Sequence, residues 1–426
     1  MSLDLVLKAG RLAAGGGHLV DIGIADGKIA AIEPAGGSLD AACGETIVLD
    51  GSLVMPGFVE THIHLDKSCV IDRCRIVEGT LQEAIAETAR VKREFTEEDV
   101  AARARKTLEK AIVAGTQYMR THVEVDPRIG LKGFDAVRQI AREHAWAIDV
   151  EICVFPQEGL LNDPGTEELL IRACELGADV IGGCPYADTQ PIEQIARIFR
   201  IAQRFDIDID FHLDFDLDPS WMHIEEVCRQ ALAQRWGGRV AVGHVTKLSA
   251  LPRSQLETIA SRLADAGVAV TVLPATDLFL MGRAHDHNVP RGVARADILT
   301  RHGVTCSLAT NNVLNAFTPF GDCSLCRIAN LFANVAQLGR HEDLLACMDM
   351  VTVSAARLMN LEHYGLRAGG PADLIVVPGS DPAAAIAEII QPTLGIKRGR
   401  LSFSRPAARL NVPAAGPHTG AALRPI

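Results

Sequence analysis

Apolar and polar residues follow different patterns along the chain, and these patterns divide it into three parts. The first 50 residues contain short apolar runs, as at residues 4–7 and 20–24, separated by glycine-rich turns. From residue 52 onward the pattern becomes strand, loop and long amphipathic helix, repeated. Short strand-like runs return at residues 373–377 and 395–401. The pattern predicts β-structure at both chain ends and alternating strands and helices between them.

The middle part predicts eight parallel strands. Helices are predicted at residues 81–93 and 96–114, which are long and amphipathic. The predicted strands are 53–61, 117–125, 147–155, 180–182, 207–212, 240–244, 268–273 and 305–308. Eight parallel strands with intervening helices form a closed barrel, whose active site lies at the carboxyl ends of the strands.

The predicted fold class is therefore α/β, a (β/α)8 TIM-like barrel with a small β-sandwich domain built from both chain ends. Residues 1–54 and 361–405 are assigned to the sandwich, and residues 55–360 to the barrel. Residues 406–426 are rich in alanine, proline and glycine, which predicts a loosely ordered tail.

The amino-acid composition disfavours some classes of binding partner. The 426 residues carry 42 Lys and Arg against 53 Asp and Glu, a net charge of −11. This balance argues against nucleic acid and anionic membranes as partners, because both require clustered basic residues. No apolar run reaches the roughly 18 residues of a membrane span. A small-molecule substrate is expected, and a homo-oligomer is compatible with the sequence, although no interface can be named.

The 11 cysteines are scattered along the chain. Cys323 and Cys326 form a C-x-x-C motif, but no second pair lies at zinc-ribbon spacing, and the motif opens a predicted helix. We therefore predict buried free thiols at this motif and a reducing, cytoplasmic compartment.

His62 and His64, at the end of the first predicted barrel strand, are the strongest indication of chemistry. Side chains alternate faces in a strand, so residues two apart project the same way. Two imidazoles at this spacing can bind one divalent ion without backbone distortion. The alternative is two surface histidines, which the flanking apolar run and the turn at Pro56-Gly57 disfavour, because unpaired imidazoles are costly in a buried strand.

Polar residues also follow other barrel strands. In chain order, the polar residues at strand ends are His62, His64, His122, Gln157, Glu158, His212, Asp214, His244, Asp277, Asn311 and Asn312. Four of the histidines, on strands one, five and six, make a cage for one ion. A catalytic zinc or iron site leaves one position for water, whose pKa the metal lowers. We interpret His122 as structural support. Lys67 either holds an anionic part of a substrate or is a solvated loop residue.

Several segments together resemble the amidohydrolase superfamily, and within it the cytosine deaminase-like group. The matching segments are 56–68, 120–123, 155–159, 177–183, 208–212, 243–244, 318–321, 364–366 and 370–376. Their order and spacing carry the resemblance along nearly the whole chain, to about residue 402.

By position, this resemblance implies the metal ligands. His62, His64 and His212 bind one divalent ion, zinc or iron. Asn311 stands where the superfamily has an aspartate that serves as ligand and water activator. The fourth predicted strand ends without a lysine, which disfavours a metal pair bridged by a carboxylated lysine and favours a single ion.

The resemblance also implies residues that act on the substrate. His244 orients or polarises the attacking water, and Gln157 holds a substrate carbonyl or amide. We assign Lys67, Phe215 and Asn312 to the substrate pocket as well. In cytosine deaminases a glutamate that shuttles protons occupies the position of Phe215, so cytosine itself is not the expected substrate.

Asn311 raises the question of which group takes the proton from water, because an amide has no useful basicity. Asp214 is the preferred replacement, since it lies two residues after His212 and would share its face if the strand stays extended. His244 is the second choice, because histidine titrates near neutral pH.

The predicted function is a mononuclear metal-dependent hydrolase that cleaves a C–N bond of a nitrogen heterocycle or cyclic amide, by deamination or amide hydrolysis. The assignment to C–N bonds rests on the resemblance, because a fold alone does not define a reaction. Two alternatives stay open: a hydrolase of an ester or lactone bond, and a degenerate member that binds a small molecule without turnover.

Overall fold

The computed structural model describes residues 2–13, 18–37, 39, 43–406 and 408–411. Its strands are β1 (Leu3–Leu12), β2 (Leu19–Ala25), β3 (Lys28–Pro34), β4 (Cys43–Val48), β5 (Leu53–Pro56), β6 (Phe58–Ile63), β7 (Thr116–Glu124), β8 (Asp149–Phe155), β9 (Val180–Ile181), β10 (Asp208–Leu213), β11 (Val240–His244), β12 (Val268–Val272), β13 (Cys306–Leu308), β14 (Leu374–Val377), β15 (Leu394–Lys397) and β16 (Arg400–Ser404). Its α-helices are α1 (Leu81–Val91), α2 (Glu97–Val113), α3 (Lys132–Glu143), α4 (Thr166–Glu175), α5 (Pro191–Phe205), α6 (Ile224–Gln234), α7 (Arg253–Ala266), α8 (Pro274–Leu280), α9 (Ala296–Arg301), α10 (Leu325–Ala336), α11 (His341–Asp349), α12 (Val353–Leu358) and α13 (Pro382–Ala387).

The strands β6 to β13 form the barrel. They pair in chain order, all in parallel. Just beyond β13, Asn311 pairs in parallel with Ile63 of β6, which brings the last strand back to the first. Residues on both faces of these strands are mostly buried, because helices cover the outside and side chains fill the inside. The predicted barrel is confirmed, with strand ends within two residues of the predicted positions except at the first strand.

The two chain ends build a second sheet, in the order β16-β15-β14-β5-β1-β2-β3, with β4 also paired to β1. Its apolar core is separate from that of the barrel and includes Leu7, Ile22 and Leu374. A unit shared by both chain ends is thereby confirmed. The predicted domain boundaries stay a prediction, and most of the predicted tail, residues 406–426, lies outside the described residues.

The prediction of one continuous first strand over residues 53–61 is wrong. Residues 53–56 pair with β14 and β1 in the chain-end sheet, whereas Phe58 begins the barrel. Gly57 separates the two strands, and a side chain there would place its Cβ 2.2 Å from Oε1 of Gln117. The Gln117 side chain passes over the backbone of Gly57, and its amide group donates hydrogen bonds to two carbonyls of the chain-end sheet. The close approach requires glycine and breaks the strand.

A buried lysine joins the chain-end sheet to the barrel. Lys397 on β15 has no exposed side-chain surface. Its ammonium group donates to Asp373 at 2.8 Å and to the Gln117 carbonyl at 3.2 Å, and it lies 2.9 Å from Asp149 at the start of β8. A buried charge is stable only when its partners stay in place, so this group ties the two units together.

We predict that Lys397→Ala lowers the free energy of unfolding by about 3–5 kcal/mol, because it leaves the Asp373 carboxylate buried without its cation. Urea denaturation followed by circular dichroism measures the change. The matched control is Arg400→Ala on the neighbouring strand, where the side chain is exposed, and its effect should stay within about 0.5 kcal/mol. Equal effects of the two variants would contradict the assignment.

The described helices are all too short or too polar to cross a lipid bilayer. Ten cysteines, including Cys323 and Cys326 at the start of α10, are free thiols. The latter two are buried, as predicted for the C-x-x-C motif.

Candidate metal centre

Four histidines meet at the carboxyl end of the barrel. His62 lies on β6 and His64 directly follows that strand, whereas His212 lies on β10 and His244 ends β11. All four are buried. The sequence predicted this grouping, because parallel strands end at the same face of a barrel.

The ring of His212 lies close to the rings of both His62 and His64. Nε2 of His212 lies 3.1 Å from Nε2 of His62 and 3.2 Å from Nε2 of His64. Ligands bound about 2.1 Å from a tetrahedral ion are about 3.4 Å apart, which is close to this spacing. His62, His212 and His244 also offer nitrogens within 4.8 Å of one another.

Electrostatics favour the neutral form of these rings. Burial, reinforced by the neighbouring histidines, lowers the pKa of His62 and His212 well below the usual range. Burial and the nearby Lys67 ammonium group do the same for His64. Neutral imidazole is the form that binds metal ions, so the cluster is poised to act as a ligand set.

Asn311 completes the cluster. Its Nδ2 lies 3.5 Å from Nε2 of His244, and its Oδ1 is buried without a hydrogen-bond partner among the described residues. An amide oxygen is a neutral metal ligand, and the unpartnered Oδ1 fits that use. The imidazoles and this amide oxygen are therefore the candidate ligands for one divalent ion, although an amide binds it less strongly than a carboxylate.

The structure contradicts the geometric argument for Asp214 as general base. β10 ends at Leu213, and Asp214 has a φ of +50°, so the chain turns and Asp214 no longer shares a face with His212. Its carboxylate accepts the backbone N–H groups of His223 and Ile224, at 2.9 and 3.0 Å, at the start of α6. The sequence shows the spacing of Asp214 but not this turn.

Asp277 is the carboxylate that the sequence did not assign. It lies on α8, and its Oδ1 is 2.7 Å from Nδ1 of His244. Burial raises the pKa of Asp277, and His244 partly offsets this effect. The sequence places Asp277 among the polar residues after strand seven. No local pattern indicates that the first turn of α8 brings its carboxylate to His244.

Phe215 covers the other side of His244. The two rings stack with centroids 3.7 Å apart at an interplanar angle of 24°. Phe215 also lines a cavity of about 410 Å³ at the mouth of the barrel, together with Leu81, Leu280 and Met281. The assignment of Phe215 to the substrate pocket stays a prediction, and its position beside both the cavity and His244 is compatible with it.

Lys67 is buried, so the solvated-loop interpretation is wrong. Its ammonium group donates to Glu124 at 2.8 Å and to Oε1 of Gln157 at 3.0 Å, and it lies 4.4 Å from the ring centroid of Phe317. Although burial opposes it, the ammonium groups of Lys67 and Lys92 hold the pKa of Glu124 at about 2. The charged donor Lys67 and the neutral amide of Gln157, which accepts from it, therefore lie on the side of the barrel formed by strands β6 to β8.

Two other strand-end residues face away from the histidines. The Asn312 Oδ1 accepts a hydrogen bond from Asn315 at 2.7 Å. Glu158 is bound by Lys92, whose ammonium group also contacts Glu124 and Asp126. These three carboxylates lie close enough to hold a metal ion, but the Lys92 ammonium group, 2.6–2.9 Å from each of them, already occupies the position between them.

A parallel barrel with converging imidazoles at the carboxyl ends of its strands has the architecture of a barrel hydrolase that works with a metal ion. Comparison with known proteins narrows this class. The chain belongs to the amidohydrolase family, since the model of that family matches residues 45–149 and 130–403. The predicted superfamily is thereby confirmed, and the protein is an enzyme of the amidohydrolase type.

Individual relatives cover almost the whole chain. It is 26% identical over 390 residues to N-isopropylammelide isopropyl amidohydrolase of Pseudomonas sp. (strain ADP), covering 89% of this chain and 93% of that protein. It is 28% identical over 367 residues to pterin deaminase of Rhizobium rhizogenes, covering 84% and 81% respectively. The crystal structure of 5-methylcytosine deaminase from Klebsiella pneumoniae with 5-fluorocytosine superposes with a TM-score of 0.91 at 29% identity, covering 96% of this chain and 100% of that one.

Proposed function

We propose that the protein is a mononuclear, metal-dependent hydrolase of a C–N bond in a nitrogen heterocycle or cyclic amide, acting by deamination or amide hydrolysis. The observation that carries the proposal is the position of His212 Nε2, which lies 3.1 Å from Nε2 of His62 and 3.2 Å from Nε2 of His64. The names of the relatives, which include an amidohydrolase and deaminases of heterocycles, support the bond class.

The three converging histidines and Asn311 would hold the ion. When bound, zinc or iron lowers the pKa of a water molecule and polarises the bond under attack. The chain's own contribution is a neutral, buried ligand set that needs little rearrangement on binding, because the ring nitrogens already lie near ligand spacing.

His244 is the proposed proton carrier. Its Nδ1 faces the Asp277 carboxylate, which fixes the tautomer with the proton on Nδ1 and makes Nε2 the acceptor, whose neighbour at 3.5 Å is Nδ2 of Asn311. Nε2 takes a proton from the attacking water and returns it to the departing nitrogen. The new C–O bond replaces the C–N bond, so atoms and protons balance without a redox partner. The Asp277 carboxylate stabilises the transient imidazolium.

Lys67 and Gln157 are proposed to bind an oxygen of the substrate ring. The Lys67 ammonium group already contacts Glu124 and Gln157, and an ammonium group has three donors. The amide of Gln157 contacts the Cys184 sulfur at 3.4 Å, a weak partner that a ring carbonyl can replace. A carbonyl-bearing heterocycle would thus lie between these donors and the histidines. Asn312 is retained only as a proposed pocket residue.

We propose further that the protein works in the cytoplasm on a small-molecule substrate, without a nucleic acid or a membrane as partner. The free thiols of the described cysteines support a reducing compartment. The net charge of −11 gives no basic surface for nucleic acid or anionic lipid. A homo-oligomer stays open as a prediction.

The test is turnover by protein loaded with one equivalent of zinc or iron(II). The panel contains a pterin, N-isopropylammelide, 5-methylcytosine, cytosine, a cyclic amide and a lactone. We expect hydrolysis of at least one C–N substrate, and its loss in His244→Asn. Turnover of the lactone alone would favour the ester alternative. Full metal loading without turnover of any compound would favour a binding protein.

Cytosine should be a poor substrate, with kcat/KM at least about 10²-fold below that of the best compound. Phe215 presents an apolar ring to the site, so polar groups of cytosine would be left without partners there, and unpaired polar groups cost this much or more. Steady-state kinetics on the same panel measures the ratio. Cytosine as the preferred substrate would contradict the pocket assignment.

A further inference from the structure

We infer that His122 is a positioning residue that orients both members of the His62–His64 pair for the metal ion. The inference rests on the proposed metal centre, but not on any particular substrate. His122 lies on β7, the strand next to β6. It contacts each member of the pair in a different way.

The side chain of His122 orients His62. The two imidazole rings stack with centroids 3.7 Å apart at an interplanar angle of 22°. The main chain of His122 orients His64, because its carbonyl oxygen lies 3.2 Å from Nδ1 of that ring and accepts a hydrogen bond from it. The same carbonyl leaves Nε2 of His64 unprotonated and directed at His212.

His62 needs this support because it lacks the usual one. A metal-binding histidine almost always donates its second ring N–H to a carboxylate or carbonyl group, which fixes the ring. His64 and His244 have such partners, whereas Nδ1 of His62 has none among the described residues. Stacking on His122 therefore takes over the role of the missing hydrogen bond.

The backbone of Gly243 lies against the same ring. A side chain at this position would place its Cβ 3.1 Å from both Cε1 and Nδ1 of His62. The contact is tight enough to restrict the rotation of the ring, and it leaves no room for a new hydrogen-bond partner there. Among the described residues, shape and stacking therefore hold the Nδ1 side of the His62 ring, where no hydrogen bond does so.

The surroundings of His122 argue against a role as a ligand. Its Nε2 lies 3.6 Å from Oδ2 of Asp210, and the same carboxylate accepts a hydrogen bond from Arg120 at 3.1 Å. His62, His122 and Asp210 have ligand atoms within 4.8 Å of one another. However, the buried Arg120 guanidinium neutralises the carboxylate and would repel a second cation. We therefore infer that the His122 ring supports His62 by stacking and does not bind a metal ion itself.

Zinc affinity of ring-retaining and ring-deleting variants tests the inference. Competition with a chelator of known affinity gives the zinc Kd of wild type, His122→Phe, His122→Ala and His122→Asn. We expect His122→Ala and His122→Asn to bind zinc about 10–100-fold more weakly, because an orienting contact is lost. His122→Phe keeps an aromatic face and should stay within about threefold of wild type. His144→Ala, a buried histidine just after α3, is the control and should not change the affinity.

Each outcome decides the matter. Equal weakening in His122→Phe and His122→Ala would show that the ring nitrogens matter, and would overturn stacking. Unchanged affinity in His122→Ala, or no zinc binding by wild type, would also overturn it. If His122→Ala does not fold, the comparison of His122→Phe with His122→Asn decides. Because only metal binding is measured, zinc affinity that follows this pattern without turnover would sustain the inference while contradicting the proposed function.

Discussion

Replacing Asp277 by Asn is expected to lower kcat by about 10²–10⁴-fold without loss of the metal ion, the range that general acid–base catalysis contributes. The neutral amide no longer stabilises a protonated His244, and it permits the tautomer with the proton on Nε2. Steady-state kinetics of the metal-loaded variant, with elemental analysis of its metal content, measures both quantities.

Asp214→Asn separates the two candidate carboxylates. Asp214 binds two backbone N–H groups at the start of α6, so its loss should weaken the fold more than the reaction. We expect a change in kcat below about tenfold and a lower thermal midpoint. A larger kcat effect for Asp214 than for Asp277 would restore Asp214 as the base.

Replacing Asn311 by Asp should tighten zinc binding by at least about tenfold, or ~1.4 kcal/mol. The added negative charge would lie beside the imidazole cluster, in a buried site where charge interactions are strong. Chelator competition measures the Kd, and thermal unfolding with and without zinc gives an independent estimate.

Asn312→Asp is the matched control, because the neighbouring amide is held by Asn315 rather than directed at the histidines. It should leave the zinc Kd within about threefold of wild type. If both substitutions tighten binding equally, the effect is general electrostatics and Asn311 is not at the ligand position.

The sequence predicted the barrel closely because short strand-like runs alternate regularly with long amphipathic helices along the chain. The first strand was the exception. Gly57 breaks it to let the Gln117 side chain cross the backbone, a contact between residues 60 positions apart that no local pattern reveals. The two helices predicted between the first and second barrel strands begin and end within two residues of their predicted positions.

The grouping of the histidines was predictable for a similar reason, since strand ends of a barrel meet at one face. The geometric argument for Asp214 failed because the residue has a φ of +50° and the strand does not stay extended through it. Asp277 was missed because its role depends on tertiary contact with His244. Side chains on regular strands are therefore easier to place from sequence than those one residue beyond them.

The metal content of the protein, purified without added metal or chelator, tests the central claim most directly. Elemental analysis should find close to one zinc or iron ion per chain in wild type and none in the double variant His62→Ala/His212→Ala. No metal in wild type, even after reconstitution with zinc and with iron(II), would contradict the account.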